Sequence, residues 1–586
     1  MHTHLGHAPA LLQLVDIISD GISGLFDCNG GAIVHQKNRS AVLRRDAHDI
    51  IRIDEKIGGS RLACPCMGKF NEGHRFGLVI SSIAQSTNSA TPHGQLNETT
   101  ARFFLTMPFM LRAAQRFFAL VIASHLLGVT PAGAASGPRK NFPVSAPGRT
   151  NKPNIIFILA DDLGYGDVGC YGQGKIKTPN LDKLAAEGMR FTNFYAGSTV
   201  CAPSRAVLMT GLHTGHASIR GNEKPILDGP EGTVAELLHR AGYRTGHIGK
   251  WGLGNTNSAG NPNRRGFDEW FGYLDHLHAH QYYPEYLWRN EAIVAFEMNK
   301  DGKPGSYAPN MFTMAALNFI RINAERPFFL YLAYPLPHAN NELGKKTGNG
   351  MEVPAAHNPY NAENWPEPEK NKAAMIALLD AYVGKLLEKL QELKIDENTI
   401  VMFSSDNGPH KEGGIDPDFF HSSGPFRGIK RDLYEGGIRV PFIVRWPKKI
   451  ADGTVTGHIG AFWDFLPTVA ALVDTAPPKG IDGISFLPTL LGRSGEQKKH
   501  EYLYWEFHEK RSSQAVRLGQ WKGIRPAPGK PIQLYNLETD PAERNNIATN
   551  NPSLVGRVER ILGEARSPSA KWPLSEDKPS GPLVKP

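Results

Sequence analysis

The chain has 586 residues, of which 40% are hydrophobic and 21% charged, with a formal net charge of +8. That length accommodates one large domain and a second, smaller one, and the composition is that of an ordinary soluble globular protein rather than a disordered or fibrous chain. The positive surplus is modest and comes without a lysine-rich block or arginine stripe, which argues against nucleic acid as a partner and suits an acidic substrate.

Residues 1–106 show no sustained helical or strand periodicity and no chemical motif. Two readings stand: a start-site artefact, with translation beginning at Met107 or Met110, or a disordered extension. Next come Arg112 and Arg116, an apolar run over 117–129, and the small-residue stretch Pro131 to Ala135. Basic, apolar and small-residue regions in that order predict a secretory signal peptide over 107–135, hence export to the periplasm or the exterior. The apolar run is too short for a stable membrane span and carries His125. Residues 136–152 read as a linker. Cys28, Cys64 and Cys66 lie upstream of the signal, and Cys64-Pro65-Cys66 has the wrong spacing for zinc. Cys170 and Cys201 remain in the mature chain.

From residue 153 short apolar runs alternate with helical stretches, the pattern of an α/β fold with a large, mostly parallel sheet flanked by helices. The spacing predicts strands over 155–160, 243–249, 328–334, 399–405 and 441–446. Helices are predicted over 180–188, 233–241 with Thr233 as N-cap, 312–323, 372–394 and 462–473. The character changes at Pro477-Pro478. Short antiparallel strands are predicted over 502–508, 514–518, 521–525 and 533–535, with a helix over 553–565 and a Pro-rich tail over 571–586. The domains expected are therefore a large one over 153–475 and a smaller α+β one over 476–570 with an antiparallel sheet.

Four predicted strands end in residues with chemical potential: Asp161-Asp162, Lys250, His338 beyond a Pro-Leu-Pro turn, and Asp406-Asn407. Open α/β sheets bind ligands outside the carboxyl ends of their strands, so these residues should meet. Clustered carboxylates raise one another's pKa unless a cation joins them. Oxygen donors without imidazole or thiolate point to Ca2+ or Mg2+. Taken singly, each Asp pair also reads as a loop cap or turn.

The run Cys201-Ala202-Pro203-Ser204-Arg205, followed by Leu208, Thr210 and Gly211, carries further chemistry. Pro203 suits an early helical position, which places Cys201 just ahead of a helix, where free N–H groups favour an anion. Arg205 lies one turn on.

This run resembles the maturation signature of the sulfatases, formylglycine-dependent members of the alkaline phosphatase superfamily. The resemblance covers residues from about 152 to about 565 and is nearest to bacterial arylsulfatase A-like enzymes. It implies that a formylglycine-generating maturation enzyme converts Cys201 to Cα-formylglycine, whose hydrated aldehyde is the nucleophile. It implies Asp161, Asp162, Asp406 and Asn407, with residue 201, as ligands of Ca2+ or Mg2+. It also implies that Arg205, Lys250 and Lys430 hold the sulfate, with His338 near the leaving oxygen. In the mechanism that follows, the metal activates one hydroxyl of residue 201 for in-line attack on sulfur, and the cations offset the developing charge. His338 or Lys430 protonates the leaving alcohol. Loss of a proton from the second hydroxyl then expels sulfate.

One departure matters. Many members read Gly-Lys-Trp-His-Leu-Gly, with the histidine aiding the last step, but here the run is Gly249-Lys250-Trp251-Gly252-Leu253-Gly254. His213, His216 and His247 are candidates for the missing base. The stretch from His276 to Tyr286, dense in histidine and aromatics, reads as a substrate pocket or as a packed surface loop, and His410 and His421 are further candidates for the cleft. The expected activity is hydrolysis of sulfate esters on a small molecule, aryl group or glycan. The alternatives are a phosphodiesterase or phosphonate monoester hydrolase of the same superfamily, and a sulfated-glycan binding protein with no catalysis.

Overall fold

The computed structural model describes residues 32–36, 39–45, 50–55, 61–65, 152–223, 225–509 and 511–575. The predicted signal peptide and nearly all of the linker, with the tail beyond residue 575, lie outside these residues. Strands Ala32–Gln36, Arg39–Arg45, Ile50–Glu55 and Arg61–Pro65 form an antiparallel meander, in a stretch where the sequence shows no sustained periodicity. They belong to a unit distinct from residues 142–586, which carry everything that follows.

Ten strands build the large sheet: β1 (Asn154–Ala160), β2 (Met189–Tyr195), β3 (Arg244–Lys250), β4 (Glu269–Tyr273), β5 (Tyr286–Arg289), β6 (Ala292–Ala295), β7 (Phe328–Ala333), β8 (Thr399–Ser405), β9 (Phe442–Arg445) and β10 (Thr454–Ala461). Their spatial order is β6-β5-β4-β3-β7-β1-β8-β9-β2-β10. The centre, from β4 through β8, is parallel, and antiparallel pairs flank it. Both faces of β1 are covered. Ile155, Phe157 and Leu159 enter one core cluster and Ile156, Ile158 and Ala160 the other. A strand buried on both faces needs an unbroken apolar run, which is why the sequence betrays it. Strands β2, β4, β5, β6 and β10 were not predicted. Strands β2 and β10 mix polar with apolar residues, and in β10 only the last two residues are buried, whereas β4, β5 and β6 are only four or five residues long.

Helices α1 (Pro179–Ala186), α2 (Cys201–Thr210), α3 (Val234–Arg240), α4 (Ala308–Ile322), α5 (Glu367–Glu392) and α6 (Phe465–Leu472) cover the sheet. Apolar residues of α2, α3 and α6 pack on one face and those of α1, α4 and α5 on the other. Helix α3 starts at a capping box: Thr233 accepts from Glu236 N at 3.1 Å while Glu236 accepts from Thr233 N at 3.1 Å. Helix α5 begins earlier than predicted, because Pro368 sits in its first turn, where a missing N–H costs nothing.

The smaller sheet, β11 (Leu503–Phe507), β12 (Ser513–Leu518), β13 (Trp521–Arg525) and β14 (Gln533–Asn536), is an antiparallel meander. Alternation along β11 decides its packing. Tyr504 faces helix α7 (Pro552–Glu564), whereas Leu503, Trp505 and Phe507 join the core of the large sheet. On the same face of β11 as Tyr504, Glu506 is fully buried and accepts from Arg220 at 2.8 Å, Arg566 at 2.8 Å and Tyr504 at 2.7 Å. Burial alone would raise its pKa, yet His508, Arg566 and Arg220 hold it well below the usual glutamate range. Its stabilising effect is therefore complete above the unfolded glutamate pKa and lost as pH falls toward the folded one. Glu506→Ala leaves Arg220 and Arg566 without their carboxylate, and urea unfolding at neutral pH should register a loss of about 3–5 kcal/mol.

Candidate active site

Strands β3, β7, β1 and β8 are neighbours, and their registers align Gly249, Ala333, Leu159 and Ser404 in one row. With roughly 4.8 Å between strands, the residues beyond that row emerge side by side at the carboxyl edge. Pairing continues past the strand ends: Asp161 N donates to Leu336 O at 2.9 Å and Asp406 N to Ala160 O at 3.1 Å. Gly249 has φ +108°, and a Cβ there would lie 1.9 Å from Ala333 O, so only glycine lets β3 approach β7 at this level. Asp162 takes φ 64°, an uncommon conformation that Asp tolerates better than most residues.

Cys201 is the first residue of α2, not the residue ahead of it, because Val200 supplies the extended cap. All ten residues of α2 are buried. Cys201 Sγ lies 3.3 Å from Asp161 Oδ1 and 3.5 Å from Lys250 Nζ. Lys250 Nζ donates to Asp161 Oδ2 at 2.5 Å. Lys430 Nζ donates to Asp162 Oδ2 at 2.8 Å and to Glu412 at 3.2 Å, and lies 3.1 Å from His338 Nε2. Arg205 is turned inward: Nε and a terminal nitrogen donate to Asp406 Oδ2 at 3.0 and 2.7 Å, and the other terminal nitrogen to Lys250 O at 2.7 Å. The structure thus brings together Asp161, Asp162, Cys201, Arg205, Lys250, His338, Asp406, Asn407 and Lys430.

Electrostatics in this volume are set by burial and pairing. Burial would raise Asp161 and Asp162, but Lys250 and Arg205 for the first, and Lys430 for the second, hold both below the usual carboxylate range. Burial and the neighbouring Asp161 push Asp406 up to about 7 in spite of Arg205. Burial and Asp161 also raise the Cys201 thiol well above its ordinary value. An unconverted cysteine here stays protonated at neutral pH and makes a poor nucleophile.

Asn407 Nδ2 donates to Asp162 Oδ1 at 2.6 Å, while its own Oδ1 is buried with no hydrogen-bond partner. An orphaned amide oxygen beside three carboxylates is the donor set of a hard divalent cation. Asp161, Asp162, Cys201 and His338 present ligand atoms within 4.8 Å of one another. The residues fit Ca2+, with Mg2+ as the smaller alternative.

Of the histidines proposed as a replacement base, none is delivered to Cys201. His213 and His216 follow the far end of α2, roughly 15 Å along the helix, where His216 binds Asp482 at 2.8 Å. His247 is buried in the core among Trp251, Phe267 and Tyr331. His421 lines a separate hollow with Gln173 and Phe420. His410, in contrast, stacks near His338, 5.8 Å between centroids. The stretch 276–286 packs in part against the loop that carries His338. Tyr282 is buried and donates to Pro335 O at 2.7 Å and His338 O at 2.6 Å, whereas His280 stacks on His338 at 4.9 Å. Sequence reasoning missed Glu412, five residues beyond Asn407, and Asn222, whose Oδ1 accepts from Ala202 N at 3.0 Å. Proximity of Glu412 to the Asp-Asn pair was the one available signal.

Family comparison agrees with this geometry. Residues 153–475 match the Sulfatase family model, and residues 427–562 match the model for the C-terminal region of N-sulphoglucosamine sulphohydrolase. N-acetylgalactosamine-6-sulfatase of Canis lupus familiaris is 34% identical over 482 residues, covering 76% of this chain and 87% of that one. N-acetylgalactosamine-6-O-sulfatase of Bacteroides thetaiotaomicron is 30% identical, covering 71% and 94%. The crystal structure of Ps i-CgsB in complex with k-i-k-neocarrahexaose superposes with a TM-score of 0.61 at 30% identity, covering 70% and 92%. The chain belongs to the sulfatase family and is a sulfuric ester hydrolase.

Calcium added to metal-stripped protein is expected to raise the thermal unfolding midpoint, by an amount equivalent to about 2.7 kcal/mol at one hundred times Kd. Asp162→Ala should abolish that rise. A midpoint indifferent to calcium in the unsubstituted protein would overturn the ligand assignment.

Proposed function

We propose that this sulfatase is exported and removes sulfate from a sulfated carbohydrate, using formylglycine made from Cys201 by a maturation enzyme. The observation that carries the catalytic part is the position of Cys201 Sγ, 3.3 Å from Asp161 and 3.5 Å from Lys250. The names of the relatives above, together with the imidazoles of the 276–286 stretch, support a sugar substrate. Export rests on the signal-like residues 107–135, and no described helix is long and apolar enough to cross a membrane.

Asp161, Asp162, Asp406 and Asn407 would hold the divalent cation, which supplies Lewis-acid activation of the nucleophile and of the sulfate oxygens. Formylglycine supplies a carbon that can shed its sulfate again. Lys250, already in contact with residue 201, places an ammonium beside the attacking group and the sulfate oxygens. Arg205 acts from behind, orienting Asp406 rather than touching sulfate. His338 Nδ1 lies 2.7 Å from Ala339 O, which makes that nitrogen the donor and leaves Nε2 to accept from Lys430. Burial and Lys430 keep His338 well below the ordinary histidine pKa, so it is neutral. Lys430 is therefore the group that protonates the leaving alcohol, with His338 fixing its direction.

Cys201→Ala should release no sulfate from any sulfated sugar or aryl sulfate, while aryl phosphodiesters matched to those sulfates should turn over poorly in the unsubstituted enzyme. A clear preference for the diester would sink the sulfatase assignment. Lys430→Ala should slow sugar sulfates by roughly 10²–10⁴-fold but aryl sulfates with acidic phenols much less, since good leaving groups need no proton.

A further inference from the structure

Gly252 leaves a gap where a proton carrier is needed. Its φ of +73° is a conformation that favours glycine, although a Cβ built there would meet nothing within 4 Å. The pairing of β3 with β4 continues beyond both strands: Trp251 N donates to Tyr273 O at 3.0 Å and Gly252 N to Leu274 O at 2.9 Å. The segment that follows β4 therefore runs beside Gly252, and His276 is its second residue after Leu274. Asp275 accepts from His278 N at 2.8 Å and turns the chain back at this point. The His276 ring is half-buried, and its Nδ1 is buried with no hydrogen-bond partner. A buried imidazole nitrogen without a partner calls for a ligand or a role.

The charged and titratable groups whose fields reach His276 are Lys250, His280, Asp275 and Lys430. Of these, Lys250 is also the ammonium 3.5 Å from Cys201 Sγ. Burial and then the charge of Lys250 lower His276 to about 4, so the ring is uncharged at neutral pH. Its neighbour His280 is engaged otherwise, with Nδ1 3.0 Å from Glu342 Oε2 and its face on His338.

We propose that His276, reaching in from the neighbouring strand's loop, is the base that Gly252 cannot be. This rests on the sulfatase reading above. After transfer, carbon β of residue 201 bears one hydroxyl and one sulfate ester. His276 takes the hydroxyl proton, the O–H electron pair becomes the second bond of a carbonyl, and the C–O bond to sulfate breaks with its electrons leaving on sulfate. The aldehyde and an imidazolium remain. Water then rehydrates the aldehyde and the imidazolium returns its proton to solvent.

The test compares the fully converted enzyme with its His276→Gln variant on an aryl sulfate of an acidic phenol, so that sulfate transfer to residue 201 is fast. Acid-quenched samples are weighed by intact mass and by the peptide containing residue 201. We expect the variant to retain a first-turnover burst of phenol, to carry one added sulfuryl group at residue 201, and to lose about 10²-fold in steady-state rate. Its unfolding midpoint should match that of the unsubstituted enzyme. Unchanged steady-state turnover, or loss of the burst together with turnover, would overturn the proposal, as would accumulation of the sulfated enzyme in His280→Gln but not in His276→Gln. If the unsubstituted enzyme itself releases no sulfate, the sulfatase reading fails first, and the variants are not needed to see it.

Discussion

Burying Asp161, Asp162 and Asp406 away from water is tolerable only because Lys250, Lys430 and Arg205 reach them, at 2.5, 2.8 and 2.7 Å. An ion buried without its partner costs several kcal/mol. The carboxyl ends of β1 and β8, the end of β3, the start of α2 and the loop carrying Lys430 must therefore arrive together or not at all. The site is not an ornament on the parallel sheet. It is one of the conditions under which these strand ends can be buried.

The smaller sheet takes part in that condition. Lys430 is followed by a tight turn containing Glu435, whose carboxylate accepts from Lys522 of β13 at 2.8 Å and from Tyr195 of β2 at 2.6 Å. Lys522 also pairs with Glu543 at 3.2 Å, and Glu543 accepts from Glu435 N at 2.6 Å. Burial, with Glu435 adding to it and Lys522 opposing, raises Glu543 to about 7. A fully buried lysine between two glutamates thus fixes the turn that aims Lys430. Arg431, the next residue, ties the same loop to Glu412 and Glu509, both at 2.7 Å.

Placement of Cys201 follows from helix packing rather than from polar contacts. Val207 and Leu208 belong to the same core cluster as Leu466 and Val469 of α6. The first turn of α2 is thereby held against the sheet edge, and Ala202 N finds Asn222. A rigid helix start keeps the converted side chain within reach of Lys250 and Asp161, which is what preorganised catalysis requires.

The sequence by itself determined the central parallel strands β1, β3, β7 and β8, the N-cap of α3, the sulfatase signature and the carboxylates, Asn407, Lys250 and His338 that meet beyond the strand ends. Continuous apolar runs and invariant spacing rules make such features local, so they survive reading along a line. Strands β2 and β10 escaped because they mix polar with apolar residues, and β4, β5 and β6 because four or five residues are too few to show a period. Only the tertiary structure decided that Arg205 turns inward to Asp406, that Glu412 joins Lys430, and that the segment after β4, which leads into His276, pairs with Gly252. Those outcomes depend on which strands are neighbours and on which face a side chain leaves, and no spacing along the chain encodes either.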